Sequence, residues 1–472
     1  MGKWIVRIAS LLLIAAFLPT AVLAAEWNLE NGSIEITATA NAGGGTTQTV
    51  SQGGSSAEDS NPTITSKGKE TNNTITIKAE KDTTANVTIK DTNISTGNAA
   101  IKTEGQGNVN LNVEGTNSAS SGDWHAGVEK SNGGKLTIGS ESGEGKLTAN
   151  GGEYGAGIGG GNRSGGSNIT ITGGEITANG GHGGAGIGGG NRSGGSNITI
   201  SGGKVTANGW KGSAGIGGGR YSSGSDITIS GGEVTANGGR YGAGIGGGSE
   251  GDGSDITISG GEVTAKGGTN GAGIGGGVRA SGRDITISGD SQVKAAGGAR
   301  DPVDGCGAAI GNGGNNTDTD KRVDGSEVEP DTSGLSPTGK VERIRGDGTV
   351  LDTIVGTVEP PKSASSKEEP DKREPLYRVL NLDGSSLKHQ AQKADGVLAL
   401  TAKADGAILT GTLRALGYLQ NQGIEKIAFT DGTHSAELVL ADLIAKGQPE
   451  DVYVLTLGAE NTLTLNGEAV DF

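Results

Sequence analysis

Ten side chains on short variable segments carry the chemistry open to this chain: Tyr154, Arg163, His182, Arg192, Trp210, Lys211, Arg220, Tyr221, Arg240 and Tyr241. The chain has only 4 Trp, 6 Tyr and 3 Phe in 472 residues, so Tyr154, Trp210, Tyr221 and Tyr241 exceed this stretch's share. Aromatic faces beside Arg and Asn donors suit sugar rings and acidic polysaccharide. The segments fall into two series. One runs through Glu153-Tyr154, His182, Trp210-Lys211, Arg240-Tyr241 and Thr269-Asn270. The other runs through Asn162-Arg163, Asn191-Arg192, Arg220-Tyr221, Ser249-Glu250 and Val278-Arg279. A third set, Asp226, Asp255 and Asp284, recurs at one spacing and stacks carboxylates about 5 Å apart if the units pile up as strands. Like charges at that distance repel by roughly 0.8 kcal/mol in water. The column is therefore a solvated face, a Ca2+ site or a carboxylate cluster for catalysis, in that order; no other cofactor is expected. The four histidines, His125, His182, His389 and His434, show no metal-ligand spacing, and the chain is expected not to be an enzyme.

A repeat must position these residues. Ala-Gly-Ile-Gly-Gly-Gly ends at Gly161, Gly190, Gly219, Gly248 and Gly277, with its isoleucines 29 apart at 158, 187, 216, 245 and 274. A constant period of this size marks a stacked array. Each unit also carries Asn/Asp-Ile-Thr-Ile-Ser/Thr (168–172 through 284–288) and Glu/Lys-Ile/Val-Thr-Ala (175–178 through 262–265). These segments alternate apolar and polar residues, as strands with one buried face do. Ile169, Ile171, Ile176 and Ala178 point inward; Thr170 and Thr177 point outward. Glycines fill every joint, where sharp corners need positive φ. No window shows the 3.6-residue spacing of a helix. One unit cannot bury its own apolar face, so the units stack with Ile158, Ile187, Ile216, Ile245 and Ile274 in one column, about 4.8 Å apart. The expected fold is all-β: a parallel β-helix of ~29-residue coils followed by a small C-terminal α+β domain. The strands barely change between coils while the two loop series do, so the loops are free to specify a ligand, as two stripes. Trp210 stands where sister coils have Gly152, Gly181, Gly239 and Gly268, so the turn does not require it.

The chain divides into four parts. Residues 1–24 read as a secretory signal peptide: Lys3 and Arg7, a short apolar run from Ile8, and small residues at Ala24. Residues 25–311 are the β-helix, with regular coils over 149–310 and irregular ones over 26–148, where Ala100-Ile101 and Ala126-Gly127-Val128 stand in for Ala-Gly-Ile. The polar stretch 41–67 reads as a loop. Residues 312–375 are an acidic connector and linker, with two short alternating runs in 341–358 that read as a hairpin or two strands. Residues 376–472 form the second domain, with a helix after Thr412 ending before Gly423.

Glycine supplies 94 of 472 residues, and its strict period separates it from disordered Gly-rich sequence. A net charge of −15 argues against nucleic acid or an anionic membrane as partner. No segment after the leader is apolar enough to insert in a bilayer. Cys306 is the sole cysteine, so no internal disulfide exists, and it reads as a small buried hydrophobe. Gly155-Ala-Gly157-Ile-Gly159-Gly160 matches a dinucleotide fingerprint in letters only, because no helix follows it.

Ala-Gly-Ile-Gly-Gly-Gly with Asn-Ile-Thr-Ile-Ser-Gly-Gly and Val-Thr-Ala-Asn-Gly-Gly resembles the Gly-rich repeats of secreted and cell-surface proteins of Gram-positive anaerobes. The stretch from Val87 to Ile94 and from Val109 to Asn117 is similar to a carbohydrate-binding, right-handed parallel β-helix module of secreted clostridial proteins. The resemblance implies a secreted, non-catalytic, glycan-binding or adhesin-like protein, possessing a polysaccharide or cell-surface glycan as partner. The alternatives are a spacer without specific ligand, an ice-binding ladder formed by Thr170, Thr199, Thr228, Thr257 and Thr286, and a polysaccharide lyase or hydrolase.

Overall fold

The structure is a computed structural model that describes residues 26–316 except 42, 322–356, and 376–470 except 384, 395, 422, 449 and 450. The expected signal peptide and the Pro- and Lys-rich linker 359–375 lie outside the described residues. Two compact units are present, one ending at Val358 and one beginning at Glu359.

The first unit is a parallel β-solenoid whose coils contribute one strand to each of three sheets. The period-2 patterns dictate this. In one sheet Ile158, Ile187, Ile216, Ile245, Ile274 and Ile310 pair in register, all fully buried. The same column continues backward through Val128, Ile101, Ile75 and Ile34. A second sheet stacks Ile169, Ile198, Ile227, Ile256 and Ile285, with Thr170, Thr199, Thr228, Thr257 and Thr286 in register beside them. The third stacks Ile176, Val205, Val234, Val263 and Val293. Glycine is required where the second sheet turns into the third: Gly203 has φ +85°, and a Cβ there would lie 2.6 Å from the Gly174 carbonyl.

Two regions depart from the sequence reading. The polar stretch 41–67 is not a loop. Thr46–Gln52 turns back antiparallel on Ile34–Ala40, and Ser55–Glu58 pairs with it in turn. An end coil has no neighbour to cover it, and a reversed strand covers it with little apolar material: only Val50 is fully buried, opposite Ile36. Nor does the solenoid stop at 311. Lys340–Ile344, inside the expected connector, adds to the third sheet with Val341 buried against Val293, and Val350–Val355 closes it as an antiparallel partner. The early coils follow the expected alternation, and Cys306 is buried as a free thiol.

The second unit holds a five-stranded and a four-stranded sheet with two short helices. Leu413–Asn421 is the longer helix; the Thr412 hydroxyl accepts the Ala415 N–H at 3.2 Å, and Gly423 follows its end with φ +81°. Leu400, Leu409, Leu416, Ile427 and Tyr453 form its core. Among the described residues no helix is long and apolar enough to cross a membrane.

Candidate ligand-binding ridge

The two loop series flank the short buried strand of each coil, one before Ala-Gly-Ile and one after it. The expectation of two separate stripes is corrected by the hydrogen bonds between them. The N–H of Asn162 donates to the Trp124 carbonyl (2.7 Å), Asn191 to Tyr154 (2.9 Å), Arg220 to Gly183 (2.8 Å), Ser249 to Gly212 (2.7 Å) and Val278 to Tyr241 (2.9 Å). Each bond joins the first loop of one coil to the second loop of the next. The loops thus interlock into one ridge parallel to the solenoid axis, and all ten expected binding residues lie on it.

At one end the ridge is aromatic. Trp124 is 58% exposed and its ring centroid lies 5.2 Å from that of Tyr154. Tyr154 meets His182 edge-on at 6.1 Å, and the Glu153 carboxylate, accepting from its hydroxyl, holds the phenol above its usual pKa. Trp124 was not among the expected residues. It stands 30 residues before Tyr154, the interval that also separates Val128 from Ile158, so extending the repeat one coil backward would have found it. In the middle, Arg163, Arg192 and Lys211 are exposed, and Arg220 lies over the Tyr221 ring with its guanidinium carbon 4.4 Å from the centroid. Farther on, Arg240 lies 4.6 Å over Tyr241 and 3.5 Å from Asp301, while Arg279 makes two bonds to Asp304 at 3.0 and 3.2 Å.

The backbone beneath these side chains is unfavourable to them. Arg163, Arg192, Tyr221, Glu250 and Arg279 occupy equivalent positions with φ between +58° and +63°, and Trp124 and Tyr241 have φ +78° and +79°. A left-handed conformation costs an L-residue roughly 1–2 kcal/mol, and glycine is its usual occupant. This chain places glycine freely elsewhere, including the left-handed corners at Gly174, Gly203, Gly232 and Gly261.

Trp210 also differs from expectation. At its sister positions Gly152, Gly181, Gly239 and Gly268, a Cβ would lie 1.7 to 1.9 Å from a carbonyl of the preceding coil. Trp210 carries such a Cβ, and the backbone bond at its turn is longer than in the sister coils. Its N–H reaches the Gly184 carbonyl at 3.4 Å, where Gly181 and Gly239 make the equivalent bond at 2.9 Å. Ser213, at another position that is glycine in the sister coils, fills the space with a buried hydroxyl that donates to Gly184 (2.6 Å) or Trp210 (2.7 Å). Trp210 therefore alters the turn it sits on and is not an interchangeable decoration; it is 60% exposed.

The metal reading of Asp226, Asp255 and Asp284 is not supported by the geometry. Among the described residues no group of three or more His, Cys, Asp or Glu is placed to hold a metal ion. Each aspartate sits alone and exposed on its coil with φ +52° to +54°. Asp226 accepts from Ser225 at 3.0 Å, and Asp284 faces Arg283 at 3.6 Å. The acidic column containing Glu233 and Glu262 is relieved by lysines: Lys146 pairs with Glu175 (2.7 Å) and Lys204 with Glu233 (2.8 Å). One ladder was missed: Asn150, Asn179, Asn208 and Asn237 pass amide to amide, each Nδ2 donating to the preceding Oδ1 at 2.8 Å. Its signal was an asparagine at one place in four successive units.

Residues 142–162, 169–191, 198–220, 227–249, 256–278 and 285–314 each match the family model for the beta helix repeat. No curated protein and no solved structure matches the chain. The matched segments coincide with the regular coils whose strands pair in register, and this part of the chain is accordingly a parallel β-helix built of that repeat.

Proposed function

We propose that the protein is an exported, non-catalytic β-helix whose interlocked loop ridge binds glycan, as an adhesin-like surface component of the kind its repeats resemble. The observation that carries this is the retention of Trp124, Arg163, Arg192, Tyr221 and Tyr241 at left-handed positions where glycine is favoured. A side chain kept against the preference of its own backbone, in a chain with 94 glycines, points to a use for that side chain. The Trp124–Tyr154 pair offers an exposed aromatic platform for the apolar face of a sugar ring, and the neighbouring Arg and Asn groups offer N–H donors to the hydroxyls and carboxylates of the sugar. Export rests on the leader 1–24.

The test is a glycan array probed with the chain lacking residues 1–24, followed by calorimetry on any glycan retained. Trp124→Ala is expected to weaken binding by about 1–3 kcal/mol, as for exposed aromatic anchors elsewhere. Equal affinity of Trp124→Ala and the parent for a confirmed glycan would remove the platform from the site. An array without any hit would favour a spacer.

A further inference from the structure

The charges of the ridge are sorted, and this sorting narrows the ligand. We infer that the ridge takes an extended polyanionic polysaccharide, laid along the solenoid axis with its acidic groups over Arg163, Arg192, Lys211 and Arg220. The inference rests on the glycan reading above and names the chemical class of that ligand.

Three observations carry it. The chain has a net charge of −15, yet between Glu153 and Glu250 the ridge loops hold four cations on three successive coils, then Arg240, and no carboxylate. The cations on the neighbouring strands and at the far end of the ridge have partners: Lys146 with Glu175, Lys204 with Glu233, and, farther along the same ridge, Arg240 with Asp301, Arg279 with Asp304 and Arg300 with Asp324. Among the described residues no carboxylate lies within ion-pair distance of Arg163, Arg192, Lys211 or Arg220. In a strongly acidic chain a line of uncompensated cations marks the place where an external polyanion is attracted. Finally, successive coils rise by about 4.8 Å, close to the length of one sugar residue in an extended chain. A polymer with an acidic group on every residue or every second residue can therefore meet Arg163 and Arg192 in step, while the Trp124–Tyr154 platform takes a neutral ring face at the end of the same track.

A polynucleotide would also offer regular negative charge with rings to stack. The acidic remainder of the molecule disfavours so dense a polyanion, and a sugar chain meets the lone exposed rings with less charge per unit length.

The experiment titrates the chain lacking residues 1–24 with polygalacturonate, dextran sulfate, neutral dextran and single-stranded oligothymidylate, at low and moderate salt. The expected result is binding to a polyanionic polysaccharide that weakens as salt rises, with no comparable binding to dextran. Combining Arg163→Gln, Arg192→Gln and Lys211→Gln should lower that affinity about ten- to a hundredfold, each exposed cation contributing about two- to fivefold. All three side chains are exposed, so the thermal transition should be unchanged, and a retained melting profile certifies the variant. Tighter binding of oligothymidylate than of either polysaccharide overturns the inference in favour of a nucleic acid. An affinity that ignores the triple variant also overturns it. If a neutral glycan binds, loses affinity in Trp124→Ala and ignores the triple variant, the glycan reading stands and the polyanion inference alone falls. If no glycan of any charge binds, both fall.

Discussion

Replacing Arg192 by glycine should make this protein more stable. Arg192 has φ +60°, its side chain is exposed, and its N–H donates to the Arg220 carbonyl at 3.0 Å, a bond that glycine keeps. Removing the Cβ relieves the left-handed penalty of roughly 1–2 kcal/mol. The unfolded chain gains freedom when glycine is introduced, which offsets roughly 0.5–1 kcal/mol of this. The remainder is a stabilisation of up to about 1.5 kcal/mol, centred on about 0.7 kcal/mol. Arg192→Ala is the control: it deletes the same side chain but keeps the Cβ, so it should move stability by less than about 0.5 kcal/mol. Urea denaturation followed by circular dichroism, with the midpoint compared at constant m-value, separates the two. A Gly variant less stable than the Ala variant would refute the reasoning, because the backbone would then not be working against the side chain. The sign matters for function: a gain on removing Arg192 means that the arginine is kept in spite of folding.

Two further outcomes are expected. Ile216→Ala should cost roughly 2–5 kcal/mol because Ile216 is fully buried between Ile187 and Ile245, whereas Thr228→Ala, outward in its sheet, should cost under about 1 kcal/mol; equal denaturation midpoints would contradict the assignment of faces. Lys130 lies inward, in register with Thr103 and then Ile77, and donates to the Asn132 carbonyl; burial pushes its pKa down to about 8. Below that pH both folded and unfolded chains hold the proton and the folded state bears the cost. Between about 8 and 10.5 the unfolded chain binds more protons, so stability should rise with pH across this window. Lys130→Met should raise stability at neutral pH by roughly 3 kcal/mol and abolish the rise; a midpoint independent of pH between 7 and 10.5 in the parent would show that the ammonium reaches solvent.

The regular coils were legible because their information is local and repeated. Ile169-Thr170-Ile171 has one possible inward set once it is a strand, and five copies at one spacing leave no freedom in register. Ile216 and Thr228 could be assigned before any coordinates for that reason. The ends were less legible, because they do not repeat. Val50 is the one fully buried apolar side chain of its strand, within sequence polar enough to read as loop; the alternating runs around Val341 read as strands, but nothing repeats there to place them on the third sheet. The ridge residues were legible as variable positions, but their joining was not. The bond from Asn191 to Tyr154 runs between backbones of different coils and leaves no mark on the side chains. The effect of Trp210 was hidden likewise: that a Cβ at Gly181 meets the Gly152 carbonyl at 1.7 Å is a fact about coil stacking, invisible in one coil's letters.

The interlocked loops also bear on how the ridge could bind tightly with exposed groups. Arg163 and Arg192 are long side chains, and fixing each on a ligand costs up to roughly 1.5 kcal/mol of rotamer entropy. The backbone contribution to that cost is already met here. The N–H of Arg163 is bonded to the Asn191 carbonyl at 2.9 Å and that of Arg192 to Arg220 at 3.0 Å, so each Cα–Cβ direction is set by the coil above. The left-handed φ is held by these bonds and by the loop-to-loop bonds at Asn162, Asn191 and Arg220. The geometry that costs folding stability at each position therefore lowers the ordering needed on association. A flexible glycine loop bearing the same charges would bind more weakly for equal contacts. The two effects share one origin, and Arg192→Gly reads both: stability should rise while affinity for the ligand falls.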